Sequence, residues 1–204
     1  MALIKARRAA PNDAAEGTPL TLDALVAQLD SPIASERRAA VRALDAHEDG
    51  IPALCARVAA EVAPSVGEAI MAALVRRASP AVVAALLPLL RDGTPVQRNA
   101  ALEALAVMPE HVAPHVAALL RDDDSDVRIF TANLLSMLPH PEAATWLVEA
   151  LADPHANVCA AAVDGLAEIG DARALPALAA LPARFPDDSF LAFAVQLASQ
   201  RIGE

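Results

Sequence analysis

Tyrosine is absent from the 204 residues, aromatic side chains make up 2% of them, and glycine occurs only seven times. Sheet proteins draw on aromatic and β-branched strands joined by Gly-rich turns, so these shortages argue against β structure. Cys55 and Cys159 are the only cysteines, and their distance in sequence suits neither a disulfide framework nor a metal cluster. The longest apolar run, Ala81 to Leu90, contains a proline and is about half of the ~20 residues a membrane-spanning helix needs. The opening stretch MALIKARRAAPNDAAEGTP is basic but has no apolar core, so it does not read as a secretory leader. The sequence has no G-x-S-x-G elbow, no H-E-x-x-H and no Gly-rich phosphate loop.

What is present is apolar and helix-forming. Hydrophobic residues make up 55%, dominated by Ala, Leu and Val, too many for a disordered chain. The net charge is −10, which argues against a nucleic-acid binder because a basic footprint is needed to displace phosphate counterions. That charge is unevenly placed. Residues 1–102 carry 11 basic and 11 acidic groups, residues 103–204 carry 5 and 15. Arginine outnumbers lysine 15 to 1, a compositional habit of high-GC bacterial, cytoplasmic proteins.

One leucine returns at nearly constant intervals: Leu44, Leu74, Leu105, Leu135, Leu166 and Leu197, in steps of 30, 31, 30, 31 and 31 residues. It marks the second helix of a repeating unit. Fifteen residues earlier stand Leu29, Ala59, Leu90, Leu120, Leu151 and Pro182, with Leu25, Cys55, Leu86, Val116, Leu147 and Leu178 four positions before those. That spacing gives a first helix its own apolar stripe. Turn signals such as Asp30-Ser31-Pro32 and Asp153-Pro154-His155 separate the two helices. A single hairpin cannot bury its stripe, so neighbours stack and share a core. The expected fold is all-α, an α-solenoid of about six hairpins over 21–50, 51–80, 81–110, 111–141, 142–171 and 172–204. These form one domain, 19–204, behind a disordered tail, 1–18, whose Leu3-Ile4-Lys5-Ala6-Arg7-Arg8 could serve as a docking arm.

The stretch Asp153-Pro154-His155-Ala156-Asn157-Val158-Cys159-Ala160-Ala161-Ala162, followed by Gly165-Leu166-Ala167-Glu168-Ile169-Gly170-Asp171, resembles the HEAT-like repeat of phycobilisome-lyase type. Asp126-Val127-Arg128 carries the same signature. Units two and six depart from it, with Gly67 and Phe190 where units one, three and four have Arg37, Arg98 and Arg128. The resemblance implies the fold more than a task, since such repeats serve many functions. Deoxyhypusine hydroxylase, a HEAT-repeat enzyme, holds its irons with His-Glu pairs in several repeats, whereas only His47-Glu48 occurs here.

Three groups of residues are candidates for chemistry. Arg37, Arg98 and Arg128, with the turn acids Asp30, Asp92, Asp122 and Asp153, are expected to clamp one repeat to the next. The outward row of the second helices reads Arg38/Arg42, Glu68/Ala72, Asn99/Glu103, Ile129/Asn133, Ala160/Asp164 and Leu191/Val195. Such a row is where a partner protein would bind. Trp146, in the slot that His115 fills one unit earlier, either packs between repeats or serves as an aromatic anchor for a partner. His111, His115 and His140 form a thin metal candidate, and no metal or cofactor is expected. The expected function is a non-catalytic scaffold, adaptor or assembly factor for a partner protein, without membrane, nucleic acid or small-molecule substrate. The alternatives are a bilin-lyase-like subunit or chaperone handling a tetrapyrrole, and a metal-dependent enzyme.

Overall fold

The structure is a computed structural model that describes residues 20–203, so the expectations for the tail 1–18 lie outside the described residues. Six helical hairpins follow one another. They pair α1 (Leu22–Gln28) with α2 (Ala34–Asp45), and α3 (Ile51–Arg57) with α4 (Pro64–Arg76). The third first helix is split into α5 (Pro80–Leu86) and α6 (Leu89–Asp92), which lead to α7 (Pro95–Ala106). Then α8 (Pro109–Leu119) pairs with α9 (Ser125–Met137), α10 (Ala143–Ala150) with α11 (Ala156–Ile169), and α12 (Leu175–Ala180) with α13 (Ser189–Gly203). No strand occurs among the described residues, and the chain is an α-solenoid.

Local chemistry explains the boundaries. Proline opens α3, α4, α5, α7, α8 and α12 in the first turn, where its missing N–H has no helical partner to lose. The same lack breaks a helix interior, and Pro88 separates α5 from α6. Thr94 and Gln97 cap α7 reciprocally, the hydroxyl accepting from Gln97 N at 3.3 Å and the amide oxygen accepting from Thr94 N at 3.0 Å. Gly170 ends α11 at φ 73°, a left-handed turn that a side chain would oppose.

The hairpins pack in sequence through their second helices, α2 on α4, α4 on α7, α7 on α9, α9 on α11 and α11 on α13. One hydrophobic cluster threads all of them. Leu44, Leu74, Leu105, Leu135 and Leu166 are fully buried, each contributing about 1.5–3 kcal/mol by leaving water. No described helix is long and apolar enough to cross a membrane.

Units two and six differ from the expected register. In unit two Leu54 and Val58 are buried, while Cys55 is half-buried and Ala59 exposed. Both pairs have helical spacing, but turning the larger side chains inward removes more apolar area from water. In unit six Leu181 is buried beside a half-buried Pro182, and Leu197 is 56% exposed. Leu191, Val195 and Ala198 take the interior instead, although Leu191 and Val195 were expected to face outward. The loop between α12 and α13 is longer, and α13 starts 33 residues after α11. Arg201 pairs with Glu168 across the same 33-residue interval. Phe193 and Leu197 therefore occupy the outward positions that Ala160 and Asp164 hold on α11.

Candidate functional site

Two edges of the solenoid carry polar side chains in ordered rows. The first is the turn edge, where arginines tie neighbouring units together. Arg37 on α2 is only 7% exposed, and its guanidinium donates to both oxygens of Glu61 at 2.9 and 2.8 Å and to the Ser31 carbonyl at 2.8 Å. Glu61, 4% exposed, lies in the loop between α3 and α4 and also accepts from Arg57 and from Ala63 N at 2.8 Å. The Arg37 hydrogen bonds, ahead of the other donors, hold its carboxyl at about 2, well below the usual carboxylate range. Gln97 of the third unit donates to the carbonyls of Ala59 and Glu61 at 3.1 and 3.3 Å, so three units meet at this loop.

Arg128 repeats the arrangement between units four and five, donating to Asp153 at 2.7 and 3.2 Å and to the Asp122 carbonyl at 2.8 Å. Arg98 differs. It donates to the carbonyls of Leu90 and Gly93 at 3.1 Å each and lies over the Phe130 ring of the next unit, 4.5 Å from its centre. The partner acids thus come from the following unit's turn, not from the turn upstream. Asp92 is exposed, Asp30 reaches only Arg57 at 3.4 Å, and the Asp122 carboxylate bonds Arg91. The spacing held a signal for this: Glu61 stands 24 residues after Arg37, and Asp153 stands 25 after Arg128. Arg184 had no such signal. From the loop before α13 it donates to the carbonyls of Leu151, Ala152 and Asp153, closing the turn after α10.

The second row is the outward face of the second helices. Arg38, Arg42, Glu68, Asn99, Glu103 and Asp164 are exposed, while Ile129 and Asn133 are half-buried. Between α2 and α4 this face forms a groove of about 290 Å³, lined by Arg38, Arg42, Asp45, Glu68, Ala72 and Arg76. Arg76 is held by Asp45 at 2.6 Å. At the far end Phe190 and Phe193 continue the row, 73% and 62% exposed. Partial desolvation, and then the charge of Glu168, hold the Asp164 carboxyl above the usual range. The turn edge has its own groove of about 550 Å³, lined by Leu120, Asp122, Asp123, Arg128, Glu149 and Asp153.

The remaining candidates lie elsewhere. Trp146 is on α10, a first helix, and so does not join the outward row. Its indole stacks on His140 at 4.7 Å, and His140 Nδ1 accepts from Glu142 N at 3.1 Å. Among the described residues no three His, Cys, Asp or Glu side chains come together in a way that could hold a metal ion, His111, His115 and His140 included. Cys159 is buried, and desolvation pushes its thiol up, against the lowering effect of Arg184. Burial also raises Cys55.

A family model of HEAT repeats matches residues 112–197, from α8 into α13. The phycobilisome-lyase subtype is not resolved by that match. Among curated proteins no sequence matches. Solved structures resemble the chain at the level of the fold. Human deoxyhypusine hydroxylase in complex with glycerol is 18% identical at a TM-score of 0.46, over 89% of this chain and 84% of that one. A designed armadillo repeat protein is 19% identical at 0.39, over 89% and 100%. The CpcE–CpcF complex of phycocyanin lyase from Nostoc sp. is 22% identical at 0.32, over 96% and 100%.

Proposed function

We propose that this protein is a non-catalytic scaffold, an adaptor or assembly factor, that holds a partner protein along the outward face of its second helices. One observation carries the reading. Of the 13 arginines in the described residues, 11 donate to a carboxylate or carbonyl of a described residue, whereas Arg38 and Arg42 do not. These two lie one turn apart on α2, side by side on the outward row and at the mouth of a groove. Glu68, Asn99, Glu103 and Asp164 continue the row and likewise make no side-chain bond to a described residue. Polar groups with no described partner, in a line across several repeats, provide what an extended partner needs, since each repeat adds a few contacts to a rigid frame.

The row is graded, with guanidinium groups that have no described partner in unit one, mostly polar groups around Ile129 in the middle and large apolar side chains in unit six. A partner that fits it is acidic where it meets α2. Retention of a protein from the source organism's lysate on the immobilised chain tests this. The Arg38→Glu/Arg42→Glu double substitution is expected to weaken retention at least tenfold. A turn-edge pair, Arg121→Glu/Glu149→Lys, is expected to leave it unchanged. Retention that follows the turn-edge pair would move the binding surface to the other groove.

A further inference from the structure

Phe190, Phe193 and Leu197 are 73%, 62% and 56% exposed and stand on one face of α13. Positions i, i+3 and i+7 of a helix cover about 10 Å, roughly two turns. These side chains do not stand at failed core positions. The helix has a separate interior face in Leu191, Val195 and Ala198, all buried. Their places correspond to Asn157, Ala160 and Asp164 on α11, and no earlier unit puts more than one large apolar side chain on these three positions, Val96 in unit three and Ile129 in unit four. Three large apolar groups thus stand together where every earlier unit has one or none, and leaving them in water is unfavourable.

The charge around them selects a partner. The five arginines of residues 103–204 are all engaged: Arg128 by Asp153, Arg173 by Asp171, Arg201 by Glu168, and Arg121 and Arg184 by backbone carbonyls. Asp164 on α11 and Asp187 just before α13 are exposed and make no described ion pair. The apolar patch therefore lies in a negative field, within a half-chain of 5 basic and 15 acidic groups. A second copy would bring the same acids together and be repelled, whereas a basic segment is attracted.

We propose that this face of α13 is a docking site for a two-turn amphipathic helix of a partner protein, with apolar side chains at i, i+3/i+4 and i+7 and lysine or arginine on both flanks. Such a segment lays its apolar face on the two phenylalanines and Leu197 and its cations toward Asp164 and Asp187. The assignment rests on the outward row being the binding face and deepens it at one end.

The test uses the full chain and two fluorescein-labelled synthetic 14-residue peptides with the same leucines at i, i+3, i+4 and i+7. One is flanked by Lys/Arg and the other by Glu. Fluorescence anisotropy is expected to show the basic peptide binding at least tenfold more tightly, and more weakly as NaCl is raised. Phe193→Glu/Leu197→Glu is expected to lower its affinity at least tenfold. The melting curve should stay the same, because both side chains are exposed. Equal affinity for the two peptides, or binding indifferent to that double substitution, overturns the site. Sedimentation showing a dimer that the double substitution dissociates would assign the patch to self-association instead. A chain lacking residues 1–18 that binds the peptide tenfold better would assign it to the chain's own Leu3–Arg8 segment. The Arg38→Glu/Arg42→Glu variant is expected to bind the peptide normally. If the α13 substitutions do nothing while that variant still loses the retained partner, this site fails and the scaffold reading stands.

Discussion

The joint between units one and two and the joint between units four and five use the same arginine position, yet different forces carry them. At the first, Arg37 and Glu61 are nearly sealed from water, and a second guanidinium, Arg57, shares the carboxylate. At the later joint α9 and α11 make the most extensive helix contact in the molecule. There Gly165 leaves room for the Leu147 side chain and Ser136, and a Cβ built on it would lie 3.0–3.2 Å from them. The Arg128–Asp153 pair at that joint is less buried and supplements the packing. Where small residues let helices approach, dispersion and burial bind the units. Where the loop brings an acid inward, a charge pair must, and it then cannot lose one member cheaply.

Breaking the ionic joint is expected to have the largest effect. Glu61→Gln leaves Arg37 buried without its counter-charge and should cost about 3–5 kcal/mol in urea unfolding. Asp153→Asn, with more access to water, should cost about 1–2 kcal/mol. Similar costs at the two sites would erase the distinction. The same carboxylate sets a pH dependence. Its folded pKa lies below its unfolded value, so its contribution is complete above about pH 4.5 and falls away as the pH drops toward 2. Hydrogen exchange in that window should show protection in α2 and α4 falling before protection in α9 and α11.

Leucine truncation tests the register of unit six against unit five. Leu166→Ala should cost about 2–5 kcal/mol, and Leu197→Ala no more than about 0.5 kcal/mol. Equal losses would mean that Leu197 is a core residue after all. The glycines sharpen the steric half of the comparison. Gly165→Val should destabilise by about 1–3 kcal/mol through overpacking against α9 and α10. Gly67→Ala in α4, where a Cβ meets nothing within 4 Å, should stabilise by about 0.5–1 kcal/mol. The smallest change expected is at the exposed Arg201–Glu168 pair, where Arg201→Gln should leave the urea midpoint essentially unchanged.

Much of the architecture was legible in the sequence. Five buried leucines at steps of 30 or 31 residues, proline and aspartate at the turns, and the absence of strand chemistry all point to stacked hairpins. The sixth leucine misled because periodicity extrapolates through a loop whose length it cannot see. Two extra residues before α13 turn Leu197 from the interior to the outward row. The clamp arginines were legible, but their partners were less so. An acid a few residues upstream is near in sequence, whereas a solenoid sets each turn beside the next unit's turn, 24 or 25 residues on. The outward row was legible through unit five; the apolar character of Phe190 and Phe193 was visible too, but the same slip hid that they continue the row with Leu197. Trp146 stands on a first helix, α10, as its slot in the repeat implies, and its stacking on His140 was not legible.

Repetition, helix propensity and turn residues by themselves determined that this chain is a stack of six helical hairpins, because each of those signals acts over fewer than about 35 residues. Which carboxylate each arginine meets, which of two equally spaced rows in α3 and α13 turns inward, and which side chains remain free on the surface were decided only by the tertiary structure. Those outcomes depend on loop length and on competition between neighbouring units for the same buried space. Neither is written at any single position of the chain.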